Sequence, residues 1–168
     1  MRKIDALIGS AVFLLAAPGT VGVLVPWLMT QWARESAGYS WAAAPGLLLI
    51  ALGAAGLLET FLRFALTGEG TPAPVAPTRR LVVSGLYRHV RNPMYVCVLA
   101  LILGQALFFG SATLIAYATV VWLAFHIFVV FFEERRLARE FGDAYAVYRR
   151  HVPRWIPRLT PWRPETGA

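Results

Sequence analysis

Most of the chemistry the sequence offers lies in one short arginine-rich stretch and one pair of carboxylates. Arg88, His89, Arg91, Asn92 and Tyr95 crowd together, and Glu133 and Glu134 stand side by side further along. Asn92-Pro93 predicts a helix start, because Asn accepts from free backbone N–H groups and proline fits the first helical position. The positive end of that helix's dipole then lies beside the arginines, where a ligand carboxylate or phosphate can be held. A plain capping role accounts for the same two residues. Counted from a turn at Gly110, Asn92 lies about 27 Å back and Glu133 about 35 Å forward, at roughly 1.5 Å per residue. Both therefore reach the same level, and the arginine stretch is expected to face Glu133 and Glu134 across a small gap. Such a gap suits a zwitterionic ligand, and it equally suits a structural ion-pair cluster, which at a surface contributes little.

A second group lies inside apolar sequence. Glu59 and Arg63 have the spacing of an ion pair on one helix face, and charges among apolar residues are expensive and often functional. Snorkelling of Arg63 to the interface is the alternative. His126 precedes Glu133 by two turns and reads first as an interhelical hydrogen-bond partner, second as part of a substrate pocket. Gln105 is a similar polar candidate between helices. The lone cysteine, Cys97, excludes an intramolecular disulfide and reads as packing, and no metal-ligand spacing is present.

The elements that must position these groups are membrane helices. Hydrophobic residues make up 58% of the 168-residue chain and charged residues 15%, against about 25% charged in a soluble domain. Four apolar spans are expected at Ile4–Met29, Ala43–Leu66, Pro93–Phe109 and Ala112–Phe132. The first is read as a retained helix rather than a signal peptide, with Pro18 and Pro26 kinking it or ending it early. Gly110-Ser111 should make a tight hairpin of the last two. The stretch 67–78 holds three prolines and is read as an extended connector. Leu137, Phe141, Tyr145 and Tyr148 recur at helical spacing in the tail, with a bend at Gly142 and a stop at Pro153 and Pro157.

The net charge of +7 comes from basic residues on one side of the spans, which is the pattern of membrane orientation rather than of nucleic-acid binding. Arg2 and Lys3, Arg79, Arg80, Arg88 and Arg91, and the tail arginines from Arg135 to Arg163 fall on that side. Arg34, balanced by Glu35, falls on the other. The expected fold is therefore all-α: one polytopic membrane domain over 1–168, with four transmembrane helices, a helical hairpin and a cytoplasmic C-terminal helix. Both termini are expected in the cytoplasm.

Residues Gly85 to Tyr95, Gly-Leu-Tyr-Arg-His-Val-Arg-Asn-Pro-Met-Tyr, resemble the signature of the isoprenylcysteine carboxyl methyltransferase and phospholipid methyltransferase superfamily. Glu133 to Tyr148, followed by Val152-Pro153-Arg154, resembles its second signature. The resemblance covers about residues 68–158. It implies an integral membrane methyltransferase that uses S-adenosylmethionine and releases S-adenosylhomocysteine, in a bacterial-type inner membrane. Its cofactor parts would be 67–92 and 133–158. Carried over, Tyr87, Arg88, His89, Arg91, Asn92, Pro93 and Tyr95 form one wall of the cofactor pocket, Glu133 and Glu134 the other, and Tyr145 and Tyr148 lie near a closing segment. The isoprenylcysteine branch typically has His where this chain has Asn92, so its prenylated-protein substrate is not carried over.

Methyl transfer from a sulfonium is a direct displacement that needs positioning and exclusion of water, and no metal. The acceptor, a lipophilic or small molecule with a carboxylate, thiol or amine, would arrive from the lipid between spans two and four. It would pass Glu59, Arg63 and His126, the candidate catalytic residues, with His126 or Glu59 as base if one is needed. Membrane lipid is the other expected partner, and nucleic acid is not one. The alternatives are a non-catalytic membrane binding or assembly protein with the same fold, and a small transporter, which would place polar groups mid-membrane.

Overall fold

The computed structural model describes residues 11–33, 41–67 and 81–163, and the regular elements among them are helical. Arg2, Lys3 and the first residues of the expected span one lie outside the described residues. So do Arg34 and Glu35, and the proline-rich connector from 68 onward with Arg79 and Arg80. α1 is Ala11–Thr30, α2 is Ala43–Thr67, α3 is Pro93–Phe109 and α4 is Ala112–Phe128. α4 continues through a widened turn, Val129–Glu133, into α5, Glu134–His151. A 3-10 turn, Gly85–Arg88, precedes α3.

Three stretches are long and apolar enough to cross a bilayer: Ala11–Thr30, Ala43–Arg63 and the apolar part of the continuous helix Ala112–His151. α3 is apolar but shorter, at 17 residues. That is about 26 Å at 1.5 Å per residue, against a hydrocarbon core of about 30 Å. Its surroundings explain the shortness. α3 is the central helix, packed by α1, α2 and α4, and Cys97, Val98, Leu101, Ile102, Gln105 and Ala106 along it are buried. A helix that is apolar on every side needs protein or lipid on every side, and here protein supplies most of it.

The prolines of α1 neither end it nor leave a break. Leu15–Leu24 is π-helical around Pro18, and the Val25 N–H reaches back to the Thr20 carbonyl. Proline lacks an N–H and its ring crowds the carbonyl four residues earlier, and the wider turn relieves both. Pro26 sits in the first turn of the regular helix that follows, where its missing N–H matters least. The α3–α4 hairpin is as tight as its sequence: Gly110 takes φ 69°, and the Ser111 hydroxyl accepts from the Leu114 N–H at 3.3 Å. Gly142 bends α5 with φ 50° and ψ −124°, and α5 stops at His151 before Pro153.

Gln105 ties α3 to α1 by donating to the Gly22 carbonyl at 2.7 Å, and it accepts from Trp32 Nε1 at 3.3 Å. Tyr117 of α4 donates to the Val21 carbonyl at 3.0 Å. The tightest approach is between α2 and α3. A Cβ on Gly53 would stand 2.8 Å from the Cys97 carbonyl oxygen, and one on Gly46 would stand 2.7 Å from the Phe108 nitrogen. Small residues that let backbones touch are how helices associate where apolar burial gives no net drive. Leu48, Leu52, Leu62, Val120, Leu123 and Ile127 point outward and exposed, the surface expected to meet lipid.

Replacing Gly53 by Val should lower stability by about 1–3 kcal/mol or more, because backbone atoms cannot give way to the new carbons. Gly142→Ala meets open space at its Cβ, but φ 50° with ψ −124° lies outside the regions an L residue adopts, so it should cost about 1–3 kcal/mol through backbone strain alone. Thermal melts of both variants in detergent check the two losses.

Candidate functional site

The site is assembled around one buried carboxylate. Glu134 Oε1 accepts from Arg91 Nη1 at 2.8 Å and from Arg154 Nε at 2.7 Å, and its Oε2 accepts from Arg154 Nη2 at 3.0 Å. The side chains of Glu134 and Arg91 are each 9% exposed. Arg91 Nη1 also donates to the Tyr145 hydroxyl at 3.2 Å. Burial by itself would raise the Glu134 carboxyl, but the hydrogen bonds from Arg154 and the charges of Arg91 and Arg154 outweigh it and hold the group below its ordinary value. The Arg154 guanidinium is correspondingly raised by its bond to Glu134.

The clamp joins three parts of the chain. The Arg91 N–H donates to the Pro153 carbonyl at 2.9 Å, and Asn92 Nδ2 donates to the Arg154 carbonyl at 3.1 Å. Asn92 does stand at the helix start with Pro93 after it, but its side chain makes no cap bond. That corrects the expected cap: the amide is spent on the tail instead. His89 Nδ1 lies 2.7 Å from the Arg158 carbonyl and Arg88 Nε donates to the Trp162 carbonyl at 2.6 Å. The segment after α5 thus runs back over residues 88–92. Tyr148 donates to the Tyr87 carbonyl at 2.7 Å, and Tyr145, Tyr148 and Val152 form a buried cluster with Leu137, Phe141 and Trp162 around them. Burial, then the charge of Glu133, pushes the Tyr87 phenol well above its ordinary value, so it stays neutral.

Glu133 turns to a different partner. Its Oε2 accepts from the Tyr95 hydroxyl at 2.8 Å. Neighbouring residues on a regular helix diverge by about 100°, yet Glu133 reaches Tyr95 in the first turn of α3 and Glu134 reaches Arg91 just before it. The widened turn Val129–Glu133, in which the Glu134 N–H bonds back to the Val129 carbonyl, adjusts their directions. Such π turns recur at functional sites. Tyr95 packs on Phe125 with ring centroids 4.6 Å apart and on Trp155 at 6.4 Å.

Glu59 and Arg63 pair on one face of α2, as their spacing predicts. They line a cavity of about 1040 Å³ between α2 and α3. Leu49, Leu52, Val96 and Ala100 form its apolar wall, and Arg88 and His89 join Glu59 and Arg63 at its polar end, with Pro161 of the tail beside them. Gly85 takes φ 56°, and a Cβ there would collide with the Glu59–Arg63 pair, so its bare backbone lies on that pair. Glu59 Oε2 and Arg91 Nε are buried with no hydrogen-bond partner among the described residues.

The structure therefore divides the residues singled out by sequence. Arg91, Asn92, Pro93, Tyr95, Glu133, Glu134 and Tyr145 meet where α3 begins and α4 runs into α5, and Glu59, Arg63, Arg88 and His89 meet at the cavity. His126 joins neither: its Nδ1 accepts from Trp155 Nε1 at 3.2 Å, and its ring packs between Trp122 and Trp155. It has the hydrogen-bonding role read first for it, with a tail residue as partner rather than another span. The cavity lies between the second and third spans, not between the second and fourth. Sequence reasoning missed Arg154 and Trp155 as site residues, because the tail's arginines and tryptophans read as orientation and belt signals. It missed Gly85 as well, whose positive φ has no signal beyond the residue type.

The phospholipid methyltransferase family model matches residues 41–144. Protein-S-isoprenylcysteine O-methyltransferase of Schizosaccharomyces pombe is 36% identical over 80 residues, which is 47% of this chain and 34% of that protein. Cobalt-zinc-cadmium resistance protein CzcN of Cupriavidus metallidurans is 36% identical over 86 residues, 51% of this chain and 39% of that one. Nickel-cobalt-cadmium resistance protein NccN of Alcaligenes xylosoxydans xylosoxydans is 33% identical over 86 residues, 51% and 40%. The chain thus matches well under half the length of these curated relatives. No solved structure matches it at a significant level.

Glu134→Ala should destabilise the protein by about 3–5 kcal/mol, because it leaves the Arg91 charge buried and unpaired. Since the folded carboxyl is held below its ordinary value, the stabilisation is full at neutral pH and lost as pH falls below about 4.3. Melting temperature against pH checks both. The acid-side fall should flatten in Glu134→Gln.

Proposed function

The chain belongs to the phospholipid methyltransferase family, and from that premise we propose that it transfers a methyl group from S-adenosylmethionine to a lipophilic or small acceptor entering from the membrane. The observation that carries the reading is the cavity between α2 and α3: a long apolar wall that ends in Glu59, Arg63, Arg88 and His89. Leu49 and Arg63 lie fourteen residues apart on one helix, about 21 Å, so the cavity has room for an extended apolar chain with a polar head. Pockets of this kind orient a ligand by a few polar groups set in an apolar lining. The reading counts α3 as a fourth crossing, its flanks covered by protein, and puts both termini and α5 on the cytoplasmic side with the basic residues.

The residues present fit the cofactor. Its methionine part carries a carboxylate and an ammonium, and the buried Arg91 Nε is a donor with no partner among the described residues. Arg88 and Arg91 would hold the carboxylate. Glu133, which uses Oε2 on Tyr95, would accept from the ammonium or the ribose. The rings of Tyr87 and Tyr95 would pack on the adenine or beside the sulfonium. When bound, the cofactor supplies a methyl group on a cationic sulfur, ready for displacement. Both oxygens of Glu134 are bonded to arginines, which gives that residue a positioning role. Glu59 lines the cavity and its Oε2 has no partner among the described residues; it would take a proton from a thiol or amine, while Arg63 would draw in a carboxylate. His126 would act through Trp155, by holding the closing segment over Tyr95.

The metals in the names of two relatives belong to those proteins. Among the described residues no group of three His, Cys, Asp or Glu side chains gathers as metal ligands do.

Calorimetric titration of the detergent-purified protein with S-adenosylhomocysteine should give micromolar affinity. Failure of a folded protein to bind, with or without added lipid, would favour the non-catalytic reading. Glu59→Gln should leave that affinity within about threefold and lower methyl transfer by about 100-fold, the usual contribution of general acid–base catalysis. A loss confined to cofactor affinity would overturn its placement at the acceptor.

A further inference from the structure

The segment after α5 sits deeper than its role in covering residues 88–92 requires. Trp155 bonds to His126 and its ring packs near Tyr95. His126 is seven residues before Glu133, about 10 Å inside the charged end of its helix, and Tyr95 is in the first turn of α3. The chain therefore returns from the end of α5 to the level where two helices leave the apolar layer. Ile156 and Leu159 follow Trp155 with 79% and 97% exposure. Their backbone is not loose: the Arg158 N–H donates to the His89 carbonyl at 3.0 Å and the Trp162 N–H to the Arg88 carbonyl at 2.9 Å. A fixed segment is thus holding two aliphatic side chains away from the protein at the depth of the lipid boundary.

The charge beside them is predominantly positive. Between Asp143 and Glu165 the sequence has five arginines and no carboxylate, and only Glu134 reaches in, toward Arg154 and Arg149. Arg154 is taken by Glu134 and Arg158 by the His151 carbonyl. Arg149, Arg150 and Arg163 are exposed. We propose that residues 149–163 form an interfacial clasp that docks on anionic phospholipid headgroups. Ile156 and Leu159 enter the acyl boundary, and Arg149, Arg150 and Arg163 sit at the phosphates. An aliphatic pair alone would suit any bilayer, but an excess of exposed cations beside it selects an anionic one. Because the same segment is bonded to Arg88 and His89, headgroups that hold it down also hold it over the cavity's polar end.

The test uses the full chain in lipid nanodiscs, with a fluorescent thiol label on Leu159→Cys. The native protein, whose Cys97 is buried, is the labelling control. The readout is quenching by neutral acrylamide, in phosphatidylcholine alone and with about one third phosphatidylglycerol. Phosphatidylglycerol should reduce the quenching constant at least about threefold, in keeping with roughly fivefold tighter partitioning per neutralised cation. Salt at about 0.5 M should abolish most of that difference by screening. Arg150→Gln/Arg163→Gln should remove most of it at low salt, leaving only the share of Arg149. Equal quenching in the two lipids would overturn the proposal. So would shielding that neither salt nor the double variant changes, since the segment would then rest on protein or on lipid tails alone. A label on Ile156→Cys repeats the reading if the first position perturbs folding. No turnover is needed, so the outcome is independent of the methyltransferase reading.

Discussion

A buried carboxylate must be matched by cations, and the geometry of this protein follows from how Glu134 meets that demand. One arginine comes from just before α3 and one from the tail after α5, and both bond to the same side chain. A small buried cluster, Tyr145, Tyr148 and Val152 with Trp162 against it, backs the tail. The ion pairs and the backbone bonds beside them, from Arg91 to Pro153 and from Asn92 to Arg154, set the position of the closing segment. Everything that segment brings follows from this: Trp155 against His126 and Tyr95, Pro161 at the cavity, and the carbonyls that receive Arg88 and His89. Buried ion pairs are weak evidence for net stability but strongly destabilising when broken, so the cluster works as a lock on geometry.

The cavity depends on a different constraint, the closeness of α2 and α3. Gly46 and Gly53 allow backbone contact along most of the shared length. Gly56, where an added Cβ would collide with Cys97 Sγ, lines the cavity wall instead of filling it. Small residues therefore do two things here. They bind the helices together and leave a surface that ends at Glu59 and Arg63. Gly85 extends the same economy to the loop, because its backbone can lie on the ion pair only without a side chain. The polar end of the cavity and the Glu134 cluster then occupy adjoining parts of one interface, joined by residues 85–92.

The hydrophobic runs, the hairpin at Gly110-Ser111, the bend at Gly142 and the pairing of Glu59 with Arg63 were legible in the sequence. Each is decided by neighbours a few residues away: an apolar run has to find an apolar medium, a glycine relieves a positive φ, and a four-residue spacing puts two side chains on one helix face. The approach of residues 88–95 to Glu133 and Glu134 was legible as well, from helix lengths on either side of the turn. What the sequence could not assign was which partner each side chain takes. Asn92 has the composition of a cap and serves as a strut. Glu134 has the look of a ligand group and is taken by two arginines. His126 meets a tail tryptophan that lies far from it in the chain. Those choices depend on the widened turn at Val129–Glu133 and on the return of the tail over α3. Both arise from packing between segments distant in sequence, where the pairing is set by which groups the tertiary packing brings within hydrogen-bond distance, and no local pattern encodes that.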